Sequence, residues 1–343
     1  MLDADVEVDR RSFAVRARLS VGPGERVALF GPSGAGKTTV LEALAGLVPI
    51  RRGSVSLGSR CLDGVPPWRR RIGLLRQDPG LFPHLSVRDN LLYGASSDAS
   101  LGPIAAELGI DGLLGAMPAR LSGGQAHRVA LGRLLLAHCD ALLLDEPYSG
   151  LDAGLRRTLT ALVVSLVVER SVPAVLVAHE LADAQAFADR LLVLDGGSVL
   201  QSGSPSSVVL RPASRRVASL VGYLGFVATD SGVAGVHPER VVPGAHASRG
   251  LVLSGVVSAL RPAGAGWEAD LRVGDLRVGD LRVGDLRVGD LRVGDALVTC
   301  RLPERPPGTE IEVTVLDPPY FGPDGAAVFS DFSDFSERRR LDR

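Results

Sequence analysis

The sequence has very little cysteine: three residues in 343, Cys61, Cys139 and Cys300, far apart and with no CxxC pair among them. That pattern excludes a disulfide framework and a zinc cluster. It has no excess of either charge, with 38 Lys and Arg against 39 Asp and Glu. A net charge of −1 offers no basic excess for binding nucleic acid through its phosphates, so no nucleic-acid partner is expected. Long apolar runs are missing as well. The best stretch, Leu159 to Val177, is broken by Glu169, Arg170 and Pro173 and cannot cross a bilayer. The first residues are acidic and polar, without the apolar core of a signal peptide. A cytosolic protein is expected, with any membrane role passing through a partner. What is present is the balance of a folded chain, 45% hydrophobic and 22% charged. The length is about twice the roughly 150 residues typical of one domain, so two domains are expected.

Residues 1–212 read as alternating strands and helices. Val27–Phe30, Ala141–Leu144, Ala174–Val177 and Leu191–Leu194 are short, continuous apolar runs, which suit strands buried on both faces of a parallel sheet. Helical patterns fall between them at Lys37–Leu47, Gly123–Ala137, Ala153–Glu169 and Leu181–Ala188, with Asp183 and Asp189 marking the polar side of the last. The alternation predicts an α/β layer fold. Beyond residue 212 helical periodicity stops. Segments such as Leu251–Ser258 and Glu310–Leu316 predict a smaller, mostly β, barrel-like domain over 213–343.

Two tandem repeats interrupt that second half. Asp-Leu-Arg-Val-Gly occurs five times over 270–294, and Phe-Ser-Asp/Glu three times over 329–337. One reading is replication slippage within a hairpin, because removing four pentads leaves two strand-like segments joined at Gly-Asp. The other is a pentapeptide-type β-helix, which five pentads are too few to stack into a core. The slippage reading is preferred.

Gly31, Pro32, Ser33, Gly34, Ala35, Gly36, Lys37 and Thr38 match GxxxxGK[ST] between a strand and a helix. Gly34 and Gly36 let backbone N–H groups curl around phosphate oxygens, and the helix N-terminus adds partial positive charge. Thr39 continues the loop into the helix. Lys37 is placed for β- and γ-phosphates and Thr38 for Mg²⁺. The strand Ala141–Leu144 runs into Asp145 and Glu146, the first placed to hold Mg²⁺ and the second to orient an attacking water.

Twenty residues before Asp145 stands Leu121-Ser-Gly-Gly-Gln125, which resembles the signature motif of ATP-binding cassette (ABC) transporter ATPases. Gln77, Ser149-Gly-Leu-Asp152 and His179 follow the family's order as Q-loop, D-loop and switch histidine. The resemblance covers about 200 residues. It implies a P-loop NTPase with a RecA-like core and a helical subdomain at about 89–139. It also implies ATP hydrolysis with Mg²⁺, held by Thr38, Asp145 and Gln77. Two cassettes would pair head to tail, each ATP lying between one P-loop and the partner's Ser122, Gly123, Gly124 and Gln125. Glu146 would act on water and His179 on the γ-phosphate. Closure would drive a transmembrane permease at the cytoplasmic face of the membrane, fed by an extracytoplasmic solute-binding protein.

The chain departs from the family in places. Ala178 precedes His179 where Ser or Thr is usual, and Leu-Leu-Arg precedes Gln77 where Phe is frequent. Phe13 reads equally as adenine platform or core residue. Gln77–Gly94 resembles importer ATPases, and Leu108–Leu114 looks most like the molybdate importer's ATPase subunit. Molybdate is therefore the first expectation for cargo, with ferric iron, sulfate, thiamine, polyamine or sugar behind it. Val236–Arg240 is similar to an element of the accessory TOBE-type domain, with His237 in place of Arg. Ser254, Ser258 and Arg261 are candidates for an oxyanion site there, or ordinary β-surface residues. His127 and Arg128 read as structural, Arg69–Arg71 as a solvated face, Cys139 as a buried small hydrophobe and Arg338–Arg340 as a solvated tail. A soluble, non-transport ABC ATPase and an oxyanion-binding regulator are the competing classes. The first lacks its usual second cassette or coiled-coil insertion here, and the second does not explain the intact Lys37, Asp145, Glu146 and His179.

Overall fold

The computed structural model describes residues 1–10, 13–95, 97–229, 232–244, 250–263, 266–273, 277–278, 281–283, 286–288, 291–292, 296–302 and 310–329. From 254 to 309 the description is of backbone, Val257 apart. The chain forms two compact units, Met1–Pro205 and Ser206–Arg343.

In the first unit, the strands in chain order are β1 (Leu2–Asp9), β2 (Ala14–Val21), β3 (Arg26–Phe30), β4 (Arg52–Leu57), β5 (Arg60–Cys61), β6 (Ile72–Leu75), β7 (Ala141–Asp145), β8 (Ala174–Ala178), β9 (Arg190–Asp195) and β10 (Ser198–Gly203). They make one sheet in the order β5-β4-β1-β2-β10-β9-β3-β8-β7-β6. β9, β3, β8, β7 and β6 are mutually parallel, while β1, β2, β4 and β5 pair antiparallel. Every residue of β7 and β8 is buried, as continuous apolar runs require between two covered faces. The helices are α1 (Lys37–Ala45), α2 (Pro67–Arg70), α3 (Val87–Leu92), α4 (Leu101–Glu107), α5 (Gly123–Leu136), α6 (Ala153–Arg170) and α7 (Leu181–Phe187). Three of them, α3, α4 and α5, fill the crossover between β6 and β7. The apolar stretch Leu159–Val177 divides into most of α6, a turn and the start of β8. Among the described residues, no helix is long and apolar enough to cross a membrane.

Two expectations are corrected. Arg70 does not belong to a solvated face: it is buried, and its guanidinium donates to the carbonyls of Val65, Ala43 and Leu44 at 2.9, 3.3 and 2.9 Å. Two of those carbonyls close the C-terminal turn of α1, where a cation also meets the negative end of the helix dipole. Asp183, expected on a polar face, has a largely buried side chain that lies 3.4 Å from Arg156.

The second unit begins earlier than residue 212. Its first helix, α8 (Pro205–Leu210), has helical pattern yet is held here, since the Tyr223 hydroxyl donates to the Val209 carbonyl at 2.9 Å. After α9 (Arg215–Leu220) come β11 (Gly225–Thr229), β12 (Gly232–Val236), β13 (Val241–Pro243), β14 (Gly250–Ala263), β15 (Gly266–Val273), β16 (Arg277–Val278), β17 (Leu281–Val283), β18 (Leu286–Val288), β19 (Leu291–Arg292), β20 (Ala296–Leu302), β21 (Glu310–Leu316), β22 (Tyr320–Phe321) and β23 (Ala327–Phe329). They form antiparallel sheets, β11-β12-β22-β23 and β13-β21-β14-β15-β20, with two short pairs. Buried Val227, Val236, Leu251, Leu253, Val313, Val315 and Phe321 supply the core.

The Asp-Leu-Arg-Val-Gly repeat begins within β15, whose last four residues are Asp270–Val273, and runs on towards β20. Pairing runs from Trp267 opposite Leu302 to Val273 opposite Ala296, then Val278 opposite Leu291 and Val283 opposite Leu286. The described pairs share one antiparallel register, the pattern of a ribbon and not of a β-helix. The second repeat and Arg338–Arg340 lie outside the described residues, Phe329 excepted.

Two outcomes follow from these contacts. Arg70→Ala strands the carbonyl of Leu44, while that of Ala43 keeps the Gly46 N–H, and is expected to cost about 2 kcal/mol. The check is a lowered urea midpoint at unchanged slope. Excising 275–294 leaves Gly274 joined to Asp295 between the paired Val273 and Ala296. That two-residue connection suits a hairpin, so melting temperature and ATPase rate are expected to match the full chain.

Candidate functional site

Four parallel strands end side by side, with Phe30 opposite Ala178, Asp145 opposite Val177 and Leu75 opposite Leu144. The segments that leave them carry Gly31–Thr38, His179, Asp145–Glu146 and Gln77. Ligands of open α/β sheets bind at this carboxyl edge.

The loop after β3 turns through positive φ at Gly34 and Gly36, +80° and +101°. Gly36 occupies the N-cap of α1, and no side chain caps that helix. Its first N–H groups, left without a side-chain acceptor, suit an anion. Lys37 is buried, and its Nζ donates to the carbonyls of Gly31 and Pro32 at 2.8 and 2.9 Å. Burial pushes the Lys37 pKa down, while Glu146 and Asp145 pull it back up. The Thr38 hydroxyl donates to Asp145 Oδ1 at 3.2 Å. Burial pushes the Asp145 carboxyl up, opposed by the Thr38 hydrogen bond and by Lys37. Thr39 is buried as well, and its hydroxyl accepts from Arg10 Nε at 2.9 Å. Arg10 also pairs with Glu42 of α1 at 2.7 Å.

Glu146 sits at φ +50°, a left-handed conformation that costs a non-glycine residue of order 1 kcal/mol and clusters at functional sites. Its N–H donates to Val177 O at 3.2 Å, and its Oε2 accepts a long, 3.4 Å bond from Gln77 Nε2. Exposed His179 and Glu146 line one cavity of about 110 Å³ with Tyr148, Arg156, Glu180 and Asp183.

The signature segment opens α5. Ser122 is the N-cap: its Oγ accepts from Gln125 N at 3.2 Å, and Gln125 Oε1 accepts from Ser122 N at 2.8 Å. This capping box leaves Gln125 committed to the helix end rather than free for a ligand. Ser122 and Gly123 are exposed, and among the described residues no hydrogen bond or ion pair links 121–125 to 31–38. From the same helix, Arg133 donates to the carbonyls of Pro79 and Gly80, both at 3.0 Å, which ties α5 to the stretch just after Gln77. Arg128 holds the end of α4 through Leu108 O at 2.7 Å, and His127 is buried.

Phe13 is half-buried and packs against the core, with a Cβ on Gly197 falling 2.7 Å from its ring, which favours its core reading. The side chains of Ser254, Ser258 and Arg261 on β14 lie outside the described residues. Sequence reading missed Arg10, Arg70 and Arg156. In a chain so rich in arginine, nothing local separates a buried or paired guanidinium from a solvated one.

This loop, strand edge and acid pair define a P-loop NTPase. Residues 15–149 match the family model for ABC transporters. The chain is 36% identical to the sn-glycerol-3-phosphate import ATP-binding protein UgpC of Rhodopseudomonas palustris, over 71% of this chain and 74% of that protein. It is 41% identical to the molybdenum import ATP-binding protein ModC of Paramagnetospirillum magneticum, over 63% and 62%. It is 39% identical to the Fe(3+) ions import ATP-binding protein FbpC of Streptomyces avermitilis, over 70% and 72%. Among solved structures, it is similar to an ATP-binding subunit of an ABC transporter, with TM-score 0.56, 27% identity and coverage of 65% and 95%. It is also similar to the dimeric cassette MJ0796 in a post-hydrolysis state with ADP and Pi, with TM-score 0.53, 26% identity and coverage of 60% and 99%. The chain belongs to the ABC transporter family of ATP-binding proteins, and its activity is the ATPase of that family.

The capping box makes its own test. Ser122→Ala removes the acceptor and is expected to lower stability by about 1 kcal/mol. Gln125→Glu keeps an acceptor for Ser122 N and is expected to hold the wild-type urea midpoint.

Proposed function

We propose that this chain is the energising subunit of an importer, working as a head-to-tail pair at the cytoplasmic face of a membrane and driving a permease. The observation that carries the reading is the convergence of the Thr38–Asp145 and Gln77–Glu146 pairs on the uncapped start of α1. Gly31–Gly36 receive the phosphates of ATP on backbone N–H groups, with Lys37 on the β- and γ-phosphates and Thr39 supporting the start of the helix. The hydroxyl of Thr38, the carboxylate of Asp145 and the amide oxygen of Gln77 are hard donors in small number, a set that suits Mg²⁺. Bound there with ATP, that cation neutralises charge on the phosphate oxygens. Glu146 orients and polarises the attacking water, and His179 contacts the γ-phosphate. Ser122, Gly123 and Gly124 serve the ATP of the second copy, a role supported by the exposure of Ser122 and Gly123 and by the absence, among the described residues, of bonds from the segment to its own P-loop. Gln125 acts there through the cap.

The permease partner is supported by a groove of about 540 Å³ lined by Ile72–Arg76, Tyr93, Ala130 and Arg133. At its rim Trp68 is 81% exposed and Tyr93 58%. Exposed aromatics beside arginine are the composition of a protein-binding surface. For cargo we take an oxyanion, molybdate first, supported by the similarity to the molybdenum importer's subunit. A solute-binding protein outside the membrane supplies that cargo to the permease, and a net charge near zero argues against nucleic acid as partner.

Glu146→Gln, purified with ATP from the native host in mild detergent, is expected to be a closed dimer carrying a polytopic membrane protein. Soluble partners or nucleic acid in its place would move the function out of transport. Trp68→Ala with Tyr93→Ala is expected to lose the membrane protein while basal ATPase stays at the wild-type rate. A Lys37→Ala strain is expected to lose molybdate uptake; loss of glycerol 3-phosphate or ferric iron uptake instead would reassign the cargo.

A further inference from the structure

Arg156 joins two segments that the hydrolytic reading treats separately. The D-loop, Ser149–Asp152, ends on Asp152, whose carboxylate accepts from Gly154 N and Leu155 N at 2.9 and 3.0 Å and so starts α6. One turn on, Arg156 donates its own N–H to Asp152 O at 2.9 Å. Its guanidinium then crosses to the segment after β8. Nη1 donates to Glu180 Oε2 at 2.6 Å and lies 3.4 and 3.5 Å from the two carboxylate oxygens of Asp183. Glu180 directly follows His179 and holds the N-cap position of α7, yet its side chain does not cap that helix. Its carboxylate is committed to Arg156 instead.

His179 has little else to place it. It is exposed, and its side chain makes no hydrogen bond among the described residues. The space between it and Glu146 is a cavity, not packing. The backbone bond from Glu146 N to Val177 O aligns the two strand ends but stops short of His179. The pair at Glu180 therefore restrains His179 from the residue beside it. The Glu180 half of this cluster, with a Glu180 side chain 59% exposed, adds little to stability, whereas Asp183 is largely buried against the same guanidinium, so the two halves are separated by changing Glu180 and leaving Arg156 in place.

We propose that Arg156 is a positioning residue, which fixes His179 against Glu146 by tying Glu180 and Asp183 to the helix that leaves the D-loop. The proposal rests on the reading of His179 as the γ-phosphate contact. A movement of the D-loop in one cassette would reach that cassette's own histidine through one side chain.

The test uses the full chain and steady-state ATPase kinetics. Glu180→Ala, which leaves Arg156 on the buried Asp183, is expected to lower kcat by roughly ten- to a hundredfold, with KM for ATP and Tm at wild-type values, and Arg156→Ala is expected to lose at least as much rate together with some Tm. Arg156→Lys, which keeps a donor for Glu180, is expected to restore most of the rate. Arg156→Ala combined with His179→Ala is expected to be no slower than His179→Ala alone, because both remove one function. A wild-type kcat for Arg156→Ala or for Glu180→Ala overturns the proposal, and so does a fall in the Tm of Glu180→Ala that tracks its fall in rate. Multiplicative losses in the double variant would show that the two residues act independently. Full activity of His179→Ala would instead remove the reading of the histidine itself, whatever Arg156 does.

Discussion

The uncapped start of α1 is the point on which the rest of the first unit depends. A helix end with free N–H groups attracts anions, but it does so usefully only if the helix is rigid and its surroundings are dry. Both conditions are met by distant residues. Arg70, from the far side of α2, closes the C-terminal carbonyls of α1, and Arg10 grips Thr39 and Glu42 along its side. Buried Val40, Leu41, Ala43 and Leu44 hold the helix on the sheet. The loop ahead of it then has one cation, Lys37, held in place by two of the loop's own carbonyls.

Around that helix end the charges are balanced against burial. Lys37 and Asp145 are each disfavoured in charged form by desolvation, and each is partly restored by the other. Two opposite charges kept close but not paired, with hydroxyl and amide groups between, are well suited to a polyanion that arrives with its own cation. The left-handed backbone of Glu146 belongs to the same economy of space. It turns the chain off the end of β7 so sharply that Asp145 stays buried against Thr38 while Glu146 reaches Gln77.

The second unit is under weaker constraint. Its sheets are antiparallel, and where a strand pairs with the one that returns beside it, as β15 does with β20 at the two ends of the repeat, a hairpin can lengthen without moving its anchors. The pentad repeat uses that tolerance.

The strand runs at Val27, Ala141, Ala174 and Leu191, the four principal helices and the order of nucleotide motifs were all readable along the chain. Each rests on interactions within a few residues: apolar continuity for buried strands, 3.6-residue periodicity for helices, glycine spacing for a loop around phosphate. The cap that Ser122 makes with Gln125 was half readable, since the helix start was evident but the commitment of Gln125 to it was not. Arg70, Arg10 and Arg156 were not readable, and Asp183 was misread. Val65 beside Arg70 apart, their partners lie 24 to 32 residues away in the chain, as in Arg70 with Leu44, Arg10 with Glu42 and Arg156 with Glu180. The local shapes and chemistries of this protein are written along the chain. Which charges meet is settled in the folded molecule, because burial and pairing are properties of a place in the fold and not of a residue type.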